Sequence, residues 1–481
     1  MDADLQRRKR RVPAWWADAK LGIFVHWVPA SVPGFAPTDA GIGELLASDE
    51  RDPLARIPYS EWYENSLRFP DSPVARHHRE RYGDRPYARF ADDFVAGLDR
   101  WDPVDWARRF AATGARYVVL VAKHHDGWCL WPSAVVNPRR SGWFSERDLV
   151  GELADAVRSA GLRFGVYYSG GYDWTFDATP IGSVAAGLDA IPGGEYPDYA
   201  DRQVRELIDR YEPSLLWNDI AWPAPQKPLE SLFRHYFDRV PDGVVNDRWM
   251  PTNAVVRAAG SPRLRPVVDA VMRRSARKSG GLVPPSPPFF QYRTPEFTTF
   301  DEIQSTPWEC VRGMDRGFGY NHTSTDDDHL GRDELVRSVV DIAATGGNLL
   351  LNVGPRGADA TIPDTQVRRL DWMAEVAPTL AAAVQDTRPW IRPRSVTPEG
   401  VEVRFTARGD RVWALCWHPA GPMPGTVTLP FGATAATSVA NSDGAPLEFS
   451  ATAGGLCVTV PAGPSDAAIV AVSVDHATAE P

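Results

Sequence analysis

The sequence predicts an α/β fold, a (β/α)8-type barrel over residues 1–387 that is followed by a small antiparallel β-sandwich over residues 388–481. Short apolar runs alternate with amphipathic helical stretches along the first of these regions. The runs lie at 21–26, 117–122, 164–168, 215–219, 244–247 and 349–353. Because the runs lack the polar alternation of half-exposed strands, they indicate a parallel sheet covered by helices on both sides.

Polar and aromatic side chains cluster where several of these runs end. The clusters are His26 and Trp27; His124, His125 and Asp126; Tyr167, Tyr168 and Ser169; Trp217, Asn218 and Asp219; and Asn246, Asp247 and Arg248. Catalytic groups at the carboxyl ends of several strands are typical of the β/α barrel. A doubly wound sheet is the alternative, but it usually has a glycine-rich phosphate loop after its first strand, and residues 27–35 contain no such motif.

The pattern changes after Thr387. Short β-type runs at 401–405, 412–417, 426–429, 456–460 and 468–474 are separated by Gly and Pro turns, without helical periodicity between them. This pattern predicts the antiparallel sandwich. Within the barrel region, residues 276–288 are rich in Gly, Pro, Ser and basic residues and are expected to form a long loop, which is taken to extend over residues 250–288.

Composition excludes several classes of partner. The 481 residues carry a net charge of −10, which argues against binding nucleic acid or an anionic membrane, and no apolar run is long enough to span a bilayer. The basic residues 7–11 are not followed by the apolar stretch of an export signal, so a cytoplasmic location is expected. The four cysteines lie far apart, which fits free thiols better than disulfides or a zinc site. The 18 tryptophans favour a carbohydrate partner, since Trp stacks on sugar rings.

Asp219 is the first candidate catalytic residue, because it ends the apolar run 215–219. A charged group there is costly unless it lies at the mouth of the barrel, where solvent and polar partners stabilise it. The alternative is a helix N-cap, but residues 220–225 are too rich in proline to begin a helix at once. The position therefore favours function.

Cleavage of a glycoside with retention needs a second carboxyl group, which protonates the leaving oxygen and later activates water. The candidates are Glu296 and Glu309. Aromatic residues flank both of them and would raise the pKa of either carboxyl by excluding water. These local features leave the choice between the two open.

The adjacent pair His124 and His125 directly follows a predicted strand. Neighbouring side chains on an extended strand point to opposite sides, so the pair does not suit a single metal ion. Where the backbone bends at the strand end, both imidazoles could reach a sugar. The alternative, one ligand-binding and one core histidine, stays open.

Eight motifs in a fixed order resemble those of the α-L-fucosidases of glycoside hydrolase family twenty-nine. The motifs are KLGIFVHW from Lys20, EWY from Glu61, AKHHDG from Ala122, YYSGG from Tyr167, LWND from Leu216, NDRW from Asn246, FGYN from Phe318 and NLLLNVGP from Asn348. The motifs span most of the barrel, whereas the sandwich resembles the family only in its type of fold.

The resemblance implies a retaining mechanism with Asp219 as nucleophile and a fucosylated oligosaccharide or glycoconjugate as substrate. Glu296 follows the Thr-x-Glu-aromatic pattern of the bacterial members and is the implied acid/base, with Glu309 second. The implied sugar-binding residues are His26, Glu61, Trp62, His124, His125, Tyr168 and Arg248, and an apolar wall around the sugar's methyl group is implied for Phe24, Trp217 and Phe318. No metal or organic cofactor is expected for this chemistry.

Three hypotheses follow. The chain is an α-L-fucosidase, another α-L-glycosidase on the same barrel (such as an α-L-galactosidase), or a catalytically inactive barrel that binds sugar. An inactive copy is expected to have lost one of its catalytic carboxyl groups. Because both candidate carboxyl regions and the polar rim are present, the sequence favours an enzyme.

Overall fold

The computed structural model describes residues 3–279, 285–419, 421–432, 438–460 and 469–475. It confirms the predicted barrel followed by antiparallel sheets. The barrel strands are β1 (Leu21–Val25), β2 (Tyr117–Lys123), β3 (Arg163–Ser169), β4 (Leu215–Asp219), β5 (Val244–Val245), β6 (Trp308–Arg312) and β7 (Gly347–Val353). They form one parallel sheet in the order β5-β4-β3-β2-β1-β7-β6.

An irregular segment, residues 291–297, lies between the two edge strands β5 and β6. Its backbone hydrogen bonds run from Gln291 N to Val245 O (3.2 Å), from Glu309 N to Arg293 O (2.8 Å) and from Val311 N to Pro295 O (3.0 Å). Parallel bridges pair Arg293 with Trp308 and Glu296 with Val311. The segment therefore takes the place of an eighth strand and carries Glu296 to the rim of the barrel.

Helices cover the sheet and connect its strands. They are α1 (Ala3–Arg8), α2 (Ala14–Ala19), α3 (Ile42–Ala47), α4 (Tyr63–Leu67), α5 (Pro73–Tyr82), α6 (Arg89–Gly97), α7 (Pro103–Ala112), α8 (Leu149–Ser159), α9 (Val184–Asp189), α10 (Tyr196–Tyr211), α11 (Gln226–Arg239), α12 (Ala254–Gly260), α13 (Arg265–Ser279), α14 (Arg332–Ala344) and α15 (Asp364–Ala383). Short 3-10 helices lie at Pro29–Ser31, Pro53–Arg56, Ser60–Trp62, Leu98–Arg100 and Asp326–Asp328. Across the part of the chain that the structure describes, no helix combines the length and apolarity needed to cross a bilayer.

The prediction of a continuous loop at 250–288 is wrong for most of its length. Residues 254–279 form α12 and α13, and α13 packs on α3 and α9. Val268, Met272 and Ala276 recur every four residues on α13, which is the spacing of one helix face. The arginines of the same helix, Arg265, Arg273, Arg274 and Arg277, obscured this period. Residues 280–284, which belong to the same predicted loop, lie outside the described residues.

The carboxyl-terminal strands form two antiparallel sheets. The strands are β8 (Arg388–Val396), β9 (Glu402–Arg408), β10 (Arg411–Trp417), β11 (Thr426–Leu429), β12 (Val439–Asn441), β13 (Phe449–Thr452), β14 (Gly455–Thr459) and β15 (Val470–Asp475). Their orders are β12-β15-β10-β9-β8 and β11-β14-β13. Alternate residues of β10 face different cores: Val412 and Ala414 pack between the sheets, while Trp413, Leu415 and Trp417 pack against the barrel. The sandwich therefore covers apolar surface of the barrel.

Candidate active site

A cavity of about 430 Å³ opens at the carboxyl ends of the barrel strands. Its floor brings together residues that lie far apart in the sequence. They are Phe24, His26, Tyr59, Glu61, Trp62, His124, Tyr167, Trp217, Asp219, Arg248, Glu296 and Phe318. Of the residues assigned a site role from sequence, all except His125, Tyr168 and the alternative acid/base Glu309 line this cavity. This is the arrangement expected of a barrel active site.

Arg248 joins the two candidate catalytic carboxyl groups. Its Nη1 lies 3.0 Å from Asp219 Oδ1, and its Nη2 lies 2.6 Å from Glu296 Oε1. The guanidinium is itself fixed from behind, because its Nε donates to Thr294 Oγ1 (3.1 Å) and its Nη2 donates to Thr294 O (3.1 Å). One buried cation thus serves two carboxyl groups, and its charge alone cannot neutralise both.

Asp219 ends β4 and is held by donors on two sides. The Tyr167 hydroxyl donates to Oδ2 (2.8 Å), and the backbone N–H of Ile220 donates to Oδ1 (2.8 Å). Ile220 has φ of +69°, a left-handed conformation that a β-branched residue rarely adopts. Such strain is typical of functional sites, where the surrounding structure enforces it. Here it turns the backbone sharply after the carboxylate.

Glu296 lies in a drier environment. Its side chain is buried, and the burial raises the pKa of this carboxyl, an effect that the nearby Asp219 reinforces and Arg248 opposes. The Tyr59 hydroxyl donates to Glu296 Oε2 (3.0 Å). A pKa raised by burial favours the protonated form of this carboxyl, which is the form that a general acid needs.

Three buried histidines lie at the cavity floor, where His26 and His124 line the cavity and His125 packs behind them, and burial favours their neutral form. Desolvation lowers the pKa of His26 to about 4 and lowers the pKa values of His124 and His125 well below the ordinary range. His125 Nδ1 lies 2.6 Å from Ser169 Oγ, and that hydroxyl donates to Tyr172 O (2.6 Å). The proton of His125 is therefore on Nδ1, and Nε2 is an acceptor.

The protonation of His26 is fixed in a similar way. Because an amide oxygen can only accept a hydrogen bond, His26 Nδ1 carries the proton and donates to Asn352 Oδ1 (2.5 Å). Two imidazole nitrogens, His124 Nδ1 and His125 Nε2, are buried without a hydrogen-bond partner among the described residues. His125 Nε2 lies 3.9 Å from Asp219 Oδ2, too far for a hydrogen bond. Buried polar atoms of this kind normally have a partner, so they point to a polar ligand.

Glu61 completes the polar side of the floor. Its Oε2 accepts a hydrogen bond from Gly319 N (2.8 Å), and burial raises the pKa of the carboxyl to about 8. Ligand atoms of His26, Glu61 and His124 lie within 4.8 Å of one another. This spacing suits the hydroxyl groups of a sugar and would also suit a metal ion, so the expectation that no metal takes part stays a prediction.

Aromatic rings supply the apolar part of the cavity floor. The Phe24 and Trp217 ring centroids are 5.3 Å apart, and Phe318 stacks on His26 at 5.2 Å. Trp62 lies edge-on to His125 at 5.3 Å. The floor thus combines hydrogen-bonding groups with aromatic rings, which suits the polar and apolar parts of a sugar.

The structure does not bring Tyr168 to the cavity. Neighbouring strand residues point to opposite faces, and on β3 it is Tyr167 that faces inward. The Tyr168 hydroxyl donates to Gln203 Oε1 (2.9 Å) in the layer between sheet and helices, and its ring lies 4.4 Å from Lys123 Nζ. The sequence identified the motif but chose the wrong member of the tyrosine pair.

Glu309, the second candidate acid/base, lies elsewhere. It is fully buried inside the barrel near the amino end of β6, and it does not line the cavity. The Tyr117 hydroxyl donates to its Oε2 (2.5 Å). Burial raises the pKa of Glu309 to about 8. A raised pKa alone therefore does not mark the acid/base, because only Glu296 also reaches the cavity.

Sequence reasoning missed two tyrosines that bind the carboxyl groups, Tyr59 and Tyr167. Tyr167 belongs to a motif already identified, and strand alternation limited the choice to one of two residues. Tyr59 lies just before the 3-10 helix Ser60–Trp62 and donates to Glu296, which is 237 positions away. No local signal links those two residues.

Comparison with known proteins gives a consistent result. Residues 2–377 match the protein family described as Alpha-L-fucosidase. An α-L-fucosidase of Dictyostelium discoideum is 30% identical over 402 residues, which cover 80% of this chain and 74% of that protein. The α-fucosidase of Thermotoga maritima, solved in complex with a mechanism-based inhibitor, is 36% identical, and it aligns over 98% of this chain and 99% of its own with a TM-score of 0.81. A structure of the Thermotoga enzyme in complex with fucose has the same identity and coverage, with a TM-score of 0.79.

Proposed function

This chain belongs to the α-L-fucosidase family, and on that premise we propose that it hydrolyses α-L-fucosides by a retaining, double-displacement mechanism. Asp219 is the nucleophile and Glu296 is the general acid and base. The observation that carries the proposal is the Arg248 bridge between these two carboxyl groups. In retaining enzymes the carboxyl groups lie about 5–5.5 Å apart, against about 6.5–9.5 Å in inverting enzymes, and a shared guanidinium suits the shorter separation.

In the first step, an Asp219 carboxylate oxygen attacks the anomeric carbon of the fucosyl group. The bond from that carbon to the leaving oxygen breaks, and Glu296 transfers its proton to the departing oxygen. Arg248 and Tyr167 hold the attacking carboxylate in place through Asp219 Oδ1 and Oδ2. The product is a fucosyl ester of Asp219 and a free alcohol.

In the second step, Glu296 is a carboxylate and takes a proton from a water molecule. The oxygen of that water attacks the anomeric carbon, the ester bond breaks, and Asp219 leaves as a carboxylate. Glu296 regains its proton, so the enzyme returns to its starting state. Arg248 stabilises whichever of the two carboxyl groups is ionised, since it contacts both.

The fixed protonation of the histidines supports recognition of the sugar hydroxyls. His26 and His125 present Nε2 as an acceptor, so a hydroxyl group donates to each of them. The buried Glu61, with its pKa raised to about 8, offers a further polar group on the same face. A ligand hydroxyl would satisfy the unpaired nitrogens of His124 and His125, which the described residues leave without partners.

The apolar wall supports fucose over L-galactose, because the two sugars differ only in the C6 hydroxyl of galactose. Phe24, Trp217 and Phe318 would bury that hydroxyl without a partner. An apolar pocket rejects an added hydroxyl only modestly, by about a hundredfold. We expect α-L-galactosides to be slow but measurable substrates, and 4-deoxy-fucosides to be slower still, roughly 10⁴-fold, because they would leave buried polar groups unpaired.

Turnover of 4-nitrophenyl α-L-fucoside, followed by NMR of the first anomer released, tests the proposal. Retention releases α-L-fucose first. Release of β-L-fucose first would contradict the assignment of Asp219 as a nucleophile. Binding of fucose without turnover would instead identify a sugar-binding protein.

We also propose a cytoplasmic location, which the four cysteines support, since none of them forms a disulfide in the structure. Fractionation of the producing cells with an activity assay tests this. Activity confined to the culture medium or periplasm would contradict it.

A further inference from the structure

The outer half of the active-site cavity differs in chemistry from its floor. Above Asp219 and Glu296 the lining consists of aliphatic side chains from four helices and a 3-10 helix. These are Ile42 and Leu46 of α3, Leu54 of Pro53–Arg56, Val184 and Leu188 of α9, Val256 and Ala259 of α12, and Val268 and Met272 of α13. Among the described lining residues, the polar ones belong to the floor or contact it directly. We call this aliphatic half the upper wall.

The helices of the upper wall are held in place by specific polar contacts outside the cavity. Asp269 of α13 accepts hydrogen bonds from Ser183 Oγ (2.8 Å) and Ala185 N (3.0 Å) at the start of α9. Arg277 donates to Ala47 O (2.9 Å) at the end of α3, and its Nη2 lies 2.9 Å from Asp49 Oδ1. Charged groups thus tie α13 to both neighbours from the outer side and leave the aliphatic side chains facing the cavity.

Close backbone contact fixes α12 as well. A Cβ atom added at Gly260 would lie 2.5 Å from Asp189 N, so only glycine allows α12 to approach α9 this closely. The approach brings Val256 and Ala259 to the cavity. The upper wall is therefore a built surface and continuous with the catalytic floor.

A leaving group bound in the active site must extend from the anomeric carbon past this wall. A second sugar residue presents hydroxyl groups around its ring, and each would lose its water against aliphatic side chains without gaining a hydrogen bond. A hydrocarbon group gains instead by removing its own surface and that of the wall from water.

We propose that the natural leaving group is the oxygen of a hydrophobic alcohol, so that the substrates are α-L-fucosides of apolar aglycones and not of sugar chains. This inference rests on the proposed fucosidase function and names the substrate class of the same site. The floor of the cavity recognises the fucosyl group, and the upper wall selects what is attached to it.

The test compares three substrates of the purified enzyme: methyl α-L-fucoside, n-octyl α-L-fucoside below its micelle concentration, and fucosyl-α-1,2-galactose. Methanol and octanol are leaving groups of similar acidity, so their difference reports binding of the chain. We expect kcat/KM for the octyl fucoside to exceed that for the methyl fucoside by roughly 10- to 100-fold, which corresponds to burial of two or three methylene groups. The disaccharide should not exceed the methyl fucoside.

Two identical substitutions at adjacent positions of α13 locate the effect. Val268 lines the cavity, whereas Val267 is 62% exposed on the outer side of the helix. Val268→Asn should lower the ratio of kcat/KM for the octyl fucoside to kcat/KM for the methyl fucoside to near 1, while Val267→Asn should leave this ratio as it is in the unsubstituted enzyme. Met272→Gln, with the 62% exposed Val271→Gln as its control, provides a second pair if Val268→Asn does not fold.

The outcomes separate the two proposals. Equal kcat/KM for the methyl and octyl fucosides, or a disaccharide that reacts faster than the octyl fucoside, would overturn the inference and leave the fucosidase function intact. Failure to cleave any of the three substrates and 4-nitrophenyl α-L-fucoside would overturn the proposed function and the inference with it.

Discussion

The two faces of the central strands carry the same chemical groups in different arrangements. On the inner face, Arg248 is shared by Asp219 and Glu296, and the group faces the cavity. On the outer face, between the sheet and α10, Lys123 forms a one-to-one pair with Asp173, with Nζ 2.7 Å from Oδ2, and both side chains are fully buried.

Both charged groups of the outer pair have further polar or aromatic partners. Lys123 Nζ lies over the Tyr168 ring at 4.4 Å, and the Thr175 hydroxyl and backbone N–H donate to Asp173 Oδ1 (2.6 and 3.0 Å). The inner cluster has one carboxyl group more than its cation can neutralise, and its imidazole neighbours include unpaired nitrogens. This difference indicates that function goes with incomplete pairing and with access to the cavity, since the outer pair is fully buried and Asp219 is partly exposed.

Removal of the nucleophile Asp219 tests the role of the inner face, and it has the largest expected effect on activity. Asp219→Gly should lower kcat by about 10⁴-fold or more while the fold is retained, because the covalent step is lost. Added azide should partly restore cleavage and yield β-L-fucosyl azide, since the small anion can enter from the opposite face. Near-wild-type turnover without azide would remove Asp219 from the mechanism.

Glu296→Ala should slow fucosides with poor leaving groups by about 10²- to 10⁴-fold, and aryl fucosides with good leaving groups far less, because only the former need protonation. Burial raises the pKa of Glu296, so the acid is active below that pKa and is lost as the pH rises through it. The variant's pH profile should therefore lack the alkaline limb. Glu309→Ala is the control, and the same kinetic pattern in that variant alone would reverse the assignment.

The outer pair should show the opposite behaviour, a large effect on stability and a small one on kinetics. Lys123→Met leaves the Asp173 carboxyl buried without its cation, which should lower the free energy of unfolding by about 3–5 kcal/mol. Urea denaturation measures this loss. The folded fraction should keep a kcat far above that of Asp219→Gly, and a variant as inactive as Asp219→Gly but normally stable would contradict the comparison.

Tyr167 and Tyr168 on β3 allow the two faces to be compared at adjacent residues. Tyr167→Phe removes the donor to the Asp219 carboxylate, a bond expected to contribute about 1.5–3 kcal/mol, so kcat/KM should fall roughly 10- to 100-fold. Tyr168→Phe removes a bond to a neutral amide and should cost only about 1 kcal/mol of stability. Steady-state kinetics and thermal denaturation of both variants distinguish the two, and equal kinetic effects would refute the assignment of faces.

The smallest expected effect on activity concerns Glu309, whose pKa burial raises to about 8. A carboxyl with a raised pKa in the folded state contributes stability that is fully present below its unfolded pKa, near 4.5, and is lost as the pH rises to about 8. Glu309→Gln should therefore flatten the decline of Tm between pH 5 and pH 8 and leave kcat almost unchanged. An unaltered pH dependence of Tm would show that Glu309 does not control it.

Much of the site was predictable because its signals are local. The apolar runs predicted the parallel strands, and the polar residues that end them predicted which end of the barrel carries the chemistry. Asp219 and His26 end such runs and Arg248 directly follows one, so their positions in the fold needed only the barrel rule. The cavity contains ten of the twelve residues assigned to it, of which Glu61, Trp62 and Phe318 were implied by the family resemblance and not by local pattern.

Other features depended on long-range contacts that no local pattern records. Glu296 and Glu309 are both flanked by aromatics, and only the path of residues 291–297 beside β6 shows that Glu296 alone meets Arg248. Tyr167 and Tyr168 have the same side chain, so composition could not decide which faced inward.

The sequence by itself determined the barrel, the sandwich and the end of the barrel that carries the site. The periodicity of strands and helices and the polar residues at strand ends are both visible among neighbouring residues. The tertiary structure decided the pairing of charges and the shape of the cavity. Helices α12 and α13 acquire their role only by packing on α3 and α9, which places the upper wall over the catalytic floor. Contacts between residues far apart in the sequence depend on the tertiary fold of the whole chain, which decides which groups come together.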